Sequence, residues 1–336
     1  MKIKGPKLLK YLITLLLAAV LVYFAFRKVD WSAFVQGLAC TRWGWVALFA
    51  AASVIALVFR IWRWRAMLMP LDPSVRWLDA WDSNNVGNTA NIVIPGAGEF
   101  VRCGYISSRT LGYDKAFGTI ICERMWDFLA VGILFVVALA LKWEQFGGFF
   151  LENIWQPLSG RLSFSLWWVV GGLALVLAAF VWAVYHWRDR NGFCSRIAGI
   201  AGGLWSGFAS FARMDRKWLF AAYTLGIWAS YVVMSYCILK AVPSLSGLGF
   251  MDAVFLSAVG NVASVIPVPG GIGAYHYLIA LSLQSLYGVV WDTGILYATL
   301  QHELHAIIII ILGVVSYLRL TVRKKKDETD NSRELH

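Results

Sequence analysis

Charged side chains are scarce in this sequence: 15% of its 336 residues are Asp, Glu, Lys or Arg, against 59% that are hydrophobic. A soluble domain must coat itself with polar side chains, so this balance excludes an ordinary soluble protein and makes a bilayer the natural solvent. Cysteine is sparse as well. Cys40, Cys103, Cys122, Cys194 and Cys237 are scattered without CxxC spacing, which excludes a disulfide framework and a cysteine-based zinc site. There is no Walker loop, no dinucleotide fingerprint in a strand and helix context, no nucleophile elbow and no zincin motif. ATP-driven transport by this chain alone is therefore not expected, and neither enzymatic activity, cofactor nor metal is assigned.

What the sequence has in abundance is long apolar runs. Stretches of membrane-crossing length lie near 8–26, 44–60, 116–141, 164–185, 218–239 and 293–318. The first resembles a signal peptide in its basic start, but it is too long for a signal core and is expected to be a retained span. The net charge of +11 does not point to nucleic acid, because Lys and Arg cluster between apolar stretches rather than along one helix face. The basic clusters at the N-terminus, in 60–115, in 186–217 and in the C-terminal tail alternate with basic-poor segments, and 241–292 has no Lys or Arg at all. By the positive-inside rule both termini are cytoplasmic. Trp43, Trp45, Trp62, Trp64, Trp167, Trp168, Trp187 and Trp218 fit interfacial belts, with core packing as the other role open to them.

Two segments outside the spans are apolar yet broken by glycine and proline. The first reads VGNTANIVIPGAGEFVR from Val86 to Arg102, and the second VGNVASVIPVPGGIGAYHY from Val259 to Tyr277. Aligned on Val-Gly-Asn, they match Asn88 with Asn261 and Ala90 with Ala263, then break at Pro95, Gly96 and Gly98 and at Pro267, Pro269, Gly270, Gly271 and Gly273. This pattern reads as an internal duplication. Three crossings per half reverse sidedness, so the halves, about 1–145 and 160–322, are expected to be inverted around two re-entrant segments that meet at a central site. Tight turns between ordinary short helices are the alternative, which makes 252–290 two short spans and the total eight. Either way the chain reads as an all-α polytopic membrane protein, with a single membrane domain over 1–322 and a short tail over 323–336.

Glu123, Arg124 and Asp127 lie within the third run, where each charge near the bilayer centre costs about 2.5–3.5 kcal/mol and needs a partner. Helical spacing lets Arg124 reach Asp127, while Glu99 and Arg102 follow the first break. One reading is a pocket in which Arg102 and Arg124 hold a phosphate headgroup; the other is a structural ion-pair network. In the second half His276 follows Gly273, and His302 and His305 share a face of the last span. They have the spacing to bind metal or relay protons, yet no third ligand is defined by sequence. Asn88, Glu99, Arg102, Glu123, Arg124, Asp127, Asn261, His276 and His302 are the candidate substrate-binding residues.

Through Asn88, the Pro95–Glu99 stretch with Arg102, the Glu123-Arg124 pair with Asp127, and the Pro267–Gly273 stretch, the chain resembles the lysylphosphatidylglycerol synthase transmembrane region family. That family includes the flippase half of the multiple peptide resistance factor. The resemblance covers nearly the whole chain and implies an integral inner-membrane protein, some relatives of which translocate aminoacylated phospholipid. No soluble aminoacyltransferase domain follows the last span, so lysyl transfer is not expected. His276 stands where relatives usually carry Glu, and Gln301 and His302 lie near the place of a common arginine, which leaves substrate and coupling open. The expected function is a lipid flippase or lipid-linked transporter with anionic phospholipid as partner. The alternative is a non-transporting scaffold or accessory subunit of an envelope-lipid enzyme. A homo-oligomer is compatible with both.

Overall fold

The structure, a computed structural model, describes residues 16, 19–108, 110–141, 143–144, 147, 175, 192–263 and 271–334. Most of the first and fourth apolar runs, the 186–191 part of the basic loop, and Pro267, Pro269 and Gly270 lie outside the described residues. The described chain is helical: α1 Trp31–Ala39, α2 Trp43–Leu68, α3 Trp77–Val93, α4 Ala97–Ile106, α5 Tyr113–Leu141, α6 Gly192–Phe208, α7 Lys217–Ala241, α8 Phe250–Ala263, α9 Ala274–Tyr287 and α10 Trp291–Glu334.

Among the described residues three helices are both long and apolar enough to cross a membrane: Trp43–Leu68, Lys217–Ala241 and the Trp291–Arg323 part of α10. Their outer surfaces suit lipid. Ile311, Val314, Leu318 and Val322 on α10 and Leu225 on α7 are each at least half exposed, an apolar surface that water would not tolerate. The protein is a polytopic membrane protein. α5 also has membrane-crossing length at 29 residues but carries the charged trio in its interior. Two helices outrun the apolar stretches that mark them. α2 continues past Arg60 to Leu68, and α10 runs on through the basic tail to Glu334.

Both broken segments fold into pairs of short helices. α3 ends at the Pro95-Gly96 elbow, where Gly96 has φ +79°, a left-handed conformation that costs a residue with Cβ about 1–2 kcal/mol. α4 then folds back on α3. A side chain at Gly98 would overlap the Gly87 carbonyl, and the Gly98 N–H instead donates to Asn91 Oδ1 at 2.7 Å. α8 and α9 form the second pair. Gly273, at φ +85°, lies against the backbone of Leu21 and Val22, which seats the end of the first apolar run on α9. Trp291 Nε1 donates to the Ala25 carbonyl at 2.9 Å and fixes the same contact from α10.

The helices pack crosswise through the chain. α2 lies along α7, α3 along α10, and α8 along α5. The α3–α10 seam is a polar ladder: Arg323–Asp79 at 2.7 Å, Arg319–Asp82 at 3.3 Å, Asn85 Nδ2 to Ser316 Oγ at 3.4 Å, and Thr89 Oγ1 to the Ile309 carbonyl at 3.2 Å. Such hydrogen bonds take the place of a hydrophobic driving force between helices already surrounded by lipid. α6 reaches α5 by the other device of membrane helices, small residues. Cα of Gly207 lies 2.9 Å from where a Gly118 Cβ would stand.

Trp64 takes the core-packing role of the two open to it. It is fully buried and donates from Nε1 to Thr119 Oγ1 at 3.0 Å, whereas Trp43 and Trp218 are well exposed as a belt requires. Trp167, Trp168 and Trp187 lie outside the described residues.

Candidate functional site

Glu123 is the centre of a buried charge cluster. Its carboxylate is inaccessible to solvent and meets four guanidinium groups: Arg102 Nη2 through a short hydrogen bond, Arg63 Nη2 at 3.2 Å, Arg60 Nε at 3.4 Å and Arg124 Nη2 at 3.6 Å. Asp127, one turn on, accepts from Arg63 Nη2 at 2.7 Å and lies 3.7 Å from Arg124 Nη1. Glu99 lies 3.8 Å from Arg102 and 3.7 Å from Arg124. Four arginines therefore share three carboxylates, and with every group ionised one positive charge is in excess.

Helical spacing explains the assembly. Arg60 and Arg63 project from one face of α2, Glu123 and Asp127 from one face of α5, and the α3–α4 elbow carries Glu99 and Arg102 down between them. Arg102 is 2% exposed, with its guanidinium stacked 3.8 Å over the Trp64 ring. Of its two readings, headgroup contact and structural ion pairing, its position fits the second: it lies behind the cluster, committed to Glu123 and Trp64.

Beside the cluster opens a cavity of about 670 Å³, with Arg60, Arg63, Arg124 and Asp127 on one wall and Asn261, Tyr275, Gln301, His302 and Glu303 on another. Phe128, Val131, Ile227, Trp228, Ile309 and Ile310 line the rest with apolar surface. Among the described residues Arg63 Nε and Nη1 are buried with neither a hydrogen bond nor an ion-pair contact, and Arg60 Nε and Arg124 Nε and Nη2, though within ion-pair distance of Glu123 or Glu99, make no hydrogen bond. Unpaired buried donors are costly, and an anion placed against them removes the cost.

Of the residues singled out from sequence, Arg124, Asp127, Asn261 and His302 line this cavity. Glu123, Glu99 and Arg102 support its arginine wall from behind. Asn88 is half-buried on α3 outside the lining, and Asn261 donates to the Ser257 carbonyl at 2.8 Å. His276 is 1% exposed and joins His302 and Glu303 just behind the second wall. His305 is held by Ser53 Oγ at 2.6 Å rather than by His302. Gly271 comes close to the second wall as well, its missing Cβ position 3.3 Å from His302 Nε2.

By sequence, Arg60 and Arg63 stand as topology-setting charges after the second apolar run. Their signal is the continuing helical pattern beyond Arg60, in which Ile61, Trp64 and Leu68 keep an apolar buried face while Arg60 and Arg63 share a neighbouring one.

The family profile of the lysylphosphatidylglycerol synthase TM region matches residues 11–313, and the chain belongs to that family. A curated relative, glycosyltransferase AglD of Haloferax volcanii, is 27% identical over 315 residues, covering 82% of this chain and 49% of the relative. The chain thus spans about half the length of the curated relative it matches. No solved structure matches it.

Proposed function

We propose that the chain is a lipid transporter of flippase type, binding an anionic phospholipid or lipid-linked substrate in the cavity between two inverted halves. The observation that carries the reading is the row of guanidinium donors left without hydrogen bonds, Arg63 Nε and Nη1 foremost, beside a cavity with a large apolar lining. A phosphate takes up those donors while its acyl or prenyl chains meet the Ile and Phe surface. Inverted halves are supported by the crosswise packing, in which each short-helix pair lies against the long helix of the other half, α3 on α10 and α8 on α5. On this reading the two pairs are re-entrant, and the protein lies in a bacterial-type inner membrane with both ends cytoplasmic.

A second reading is a non-transporting membrane subunit serving an envelope-lipid enzyme. The relative's name, a glycosyltransferase, favours it, and a membrane transferase acting on a lipid carrier is a separate, third reading. Mass spectrometry of lipids co-purified with the protein separates the first two. An anionic lipid enriched with wild type and lost in Arg60→Gln supports the cavity reading. Lipid recovery that follows bulk membrane composition in both proteins contradicts it.

A further inference from the structure

We propose that His276, His302 and Glu303 form a binding site for a divalent transition-metal ion, Zn²⁺ or one of similar chemistry, at the second wall of the cavity. One ligand atom from each residue lies within 4.8 Å of the other two. His302 Nδ1 is 3.0 Å and His276 Nε2 3.8 Å from the same Glu303 oxygen. Tetrahedral Zn²⁺ with bonds near 2.0–2.1 Å holds its ligands about 3.3 Å apart, so these separations straddle the required value. Small side-chain adjustments bring three donors onto one ion. Glu303 and His302 are partly exposed and free to make them, and His276 supplies the fixed point.

Ordinary hydrogen bonding does not account for His276. A neutral imidazole must place one donor and one acceptor, yet this ring is 1% exposed, its Nδ1 has no partner among the described residues, and its Nε2 is too far from Glu303 for a hydrogen bond. His305, one turn along α10, is the contrast: its Nδ1 is 2.6 Å from Ser53 Oγ. The two histidines are also held in place by rings, Phe26 at 5.3 Å from His276 and Tyr275 at 5.1 Å from His302. Two imidazoles and one carboxylate suit a borderline cation better than Ca²⁺ or Mg²⁺, which prefer oxygen ligands. Three protein ligands leave a position open on the cavity side, near the Tyr275 hydroxyl and Gln301 Oε1, which have no hydrogen-bond partner among the described residues. This assignment is independent of the transport reading, since it concerns metal binding alone.

The test is a Co²⁺ titration of detergent-purified, chelator-stripped full chain carrying a histidine-free affinity tag, followed by visible d–d absorption and competition with Zn²⁺. Wild type is expected to take up a single saturable equivalent, displaced by Zn²⁺. His276→Ala and His302→Ala weaken it about 100-fold or more, and His305→Ala leaves it intact. Should His276→Ala fail to fold, His302→Gln at the partly exposed ligand decides, with the Zn²⁺-induced rise in melting temperature as a second readout. The proposal is overturned if folded wild type shows no saturable spectrum, or if His302→Gln keeps both the spectrum and the Zn²⁺-induced rise.

Discussion

Arg102 and Glu123 form the innermost ion pair of the molecule's charged cluster, with the arginine stacked on Trp64 and the carboxylate shared with Arg60, Arg63 and Arg124. The pair is asymmetric. Losing Arg102 still leaves Glu123 three guanidinium neighbours, whereas neutralising Glu123 leaves four arginines to Glu99 and Asp127. Breaking a buried pair from one side costs about 3–5 kcal/mol. Glu123→Gln is expected to reach that range, and Arg102→Met to cost less. Unfolding in detergent, followed by thermal melting, checks the order; a less stable Arg102→Met would contradict the arrangement.

Gly118 and Gly207 set the approach of α5 to α6. A Cβ at Gly118 would overlap the Leu204 carbonyl, and backbone cannot move aside as a flexible side chain can. Gly118→Val should therefore destabilise by roughly 1–3 kcal/mol through overpacking, while Gly44→Ala, whose added Cβ meets nothing within 4 Å, should stay near wild type. Melting temperatures of the two variants, side by side, test the contact.

Asp72 clasps the turn after α2 to the loop before α5. It accepts from Ser74 Oγ at 2.6 Å, Thr110 Oγ1 at 2.5 Å and Ser74 N at 2.9 Å, and these hydrogen bonds, that from the Ser74 hydroxyl first, hold its carboxyl below the usual range. The folded value is depressed, so the stabilisation is present above the unfolded pKa of about 3.9 and lost as pH falls through the folded one. Wild type should lose more melting temperature than Asp72→Asn between about pH 6 and about pH 3. Equal losses would remove the clasp from the account.

Asn88 on α3 and Asn261 on α8 sit at matching places in the two repeated segments. If the halves are inverted, single cysteines at these positions in a cysteine-free background are labelled by a membrane-impermeant reagent from opposite sides. Labelling of both from one side would refute the inversion.

Much of this was legible in the amino-acid order, because charge in an apolar run is conspicuous. Glu123, Arg124 and Asp127 announce a cluster by their cost in a bilayer, and Pro95-Gly96 announces the elbow by its backbone chemistry. Arg60 and Arg63 were harder, since an arginine after an apolar run reads equally as the end of a span and as the next turn of a longer helix. Trp64 stayed open between an interfacial and a core role for a related reason: only the fold reveals that Arg102 and Thr119 give an indole a buried place. The grouping of His276 with Glu303 was invisible, because α9 and α10 bring together residues that no local spacing relates.

The central claim is that the arginine wall holds an anionic headgroup during transport. The measurement that tests it most directly is the transbilayer rate of fluorescent phosphatidylglycerol, beside phosphatidylcholine, in proteoliposomes of wild type, Arg60→Gln and Arg124→Gln. These are the more exposed of the cluster's four arginines, at 18% and 36%, so their loss should spare the fold. The account predicts acceleration of the anionic lipid by wild type and a fall of about tenfold, equivalent to about 1.4 kcal/mol, in each variant. Folded protein that accelerates neither lipid, or variants as fast as wild type, would contradict it.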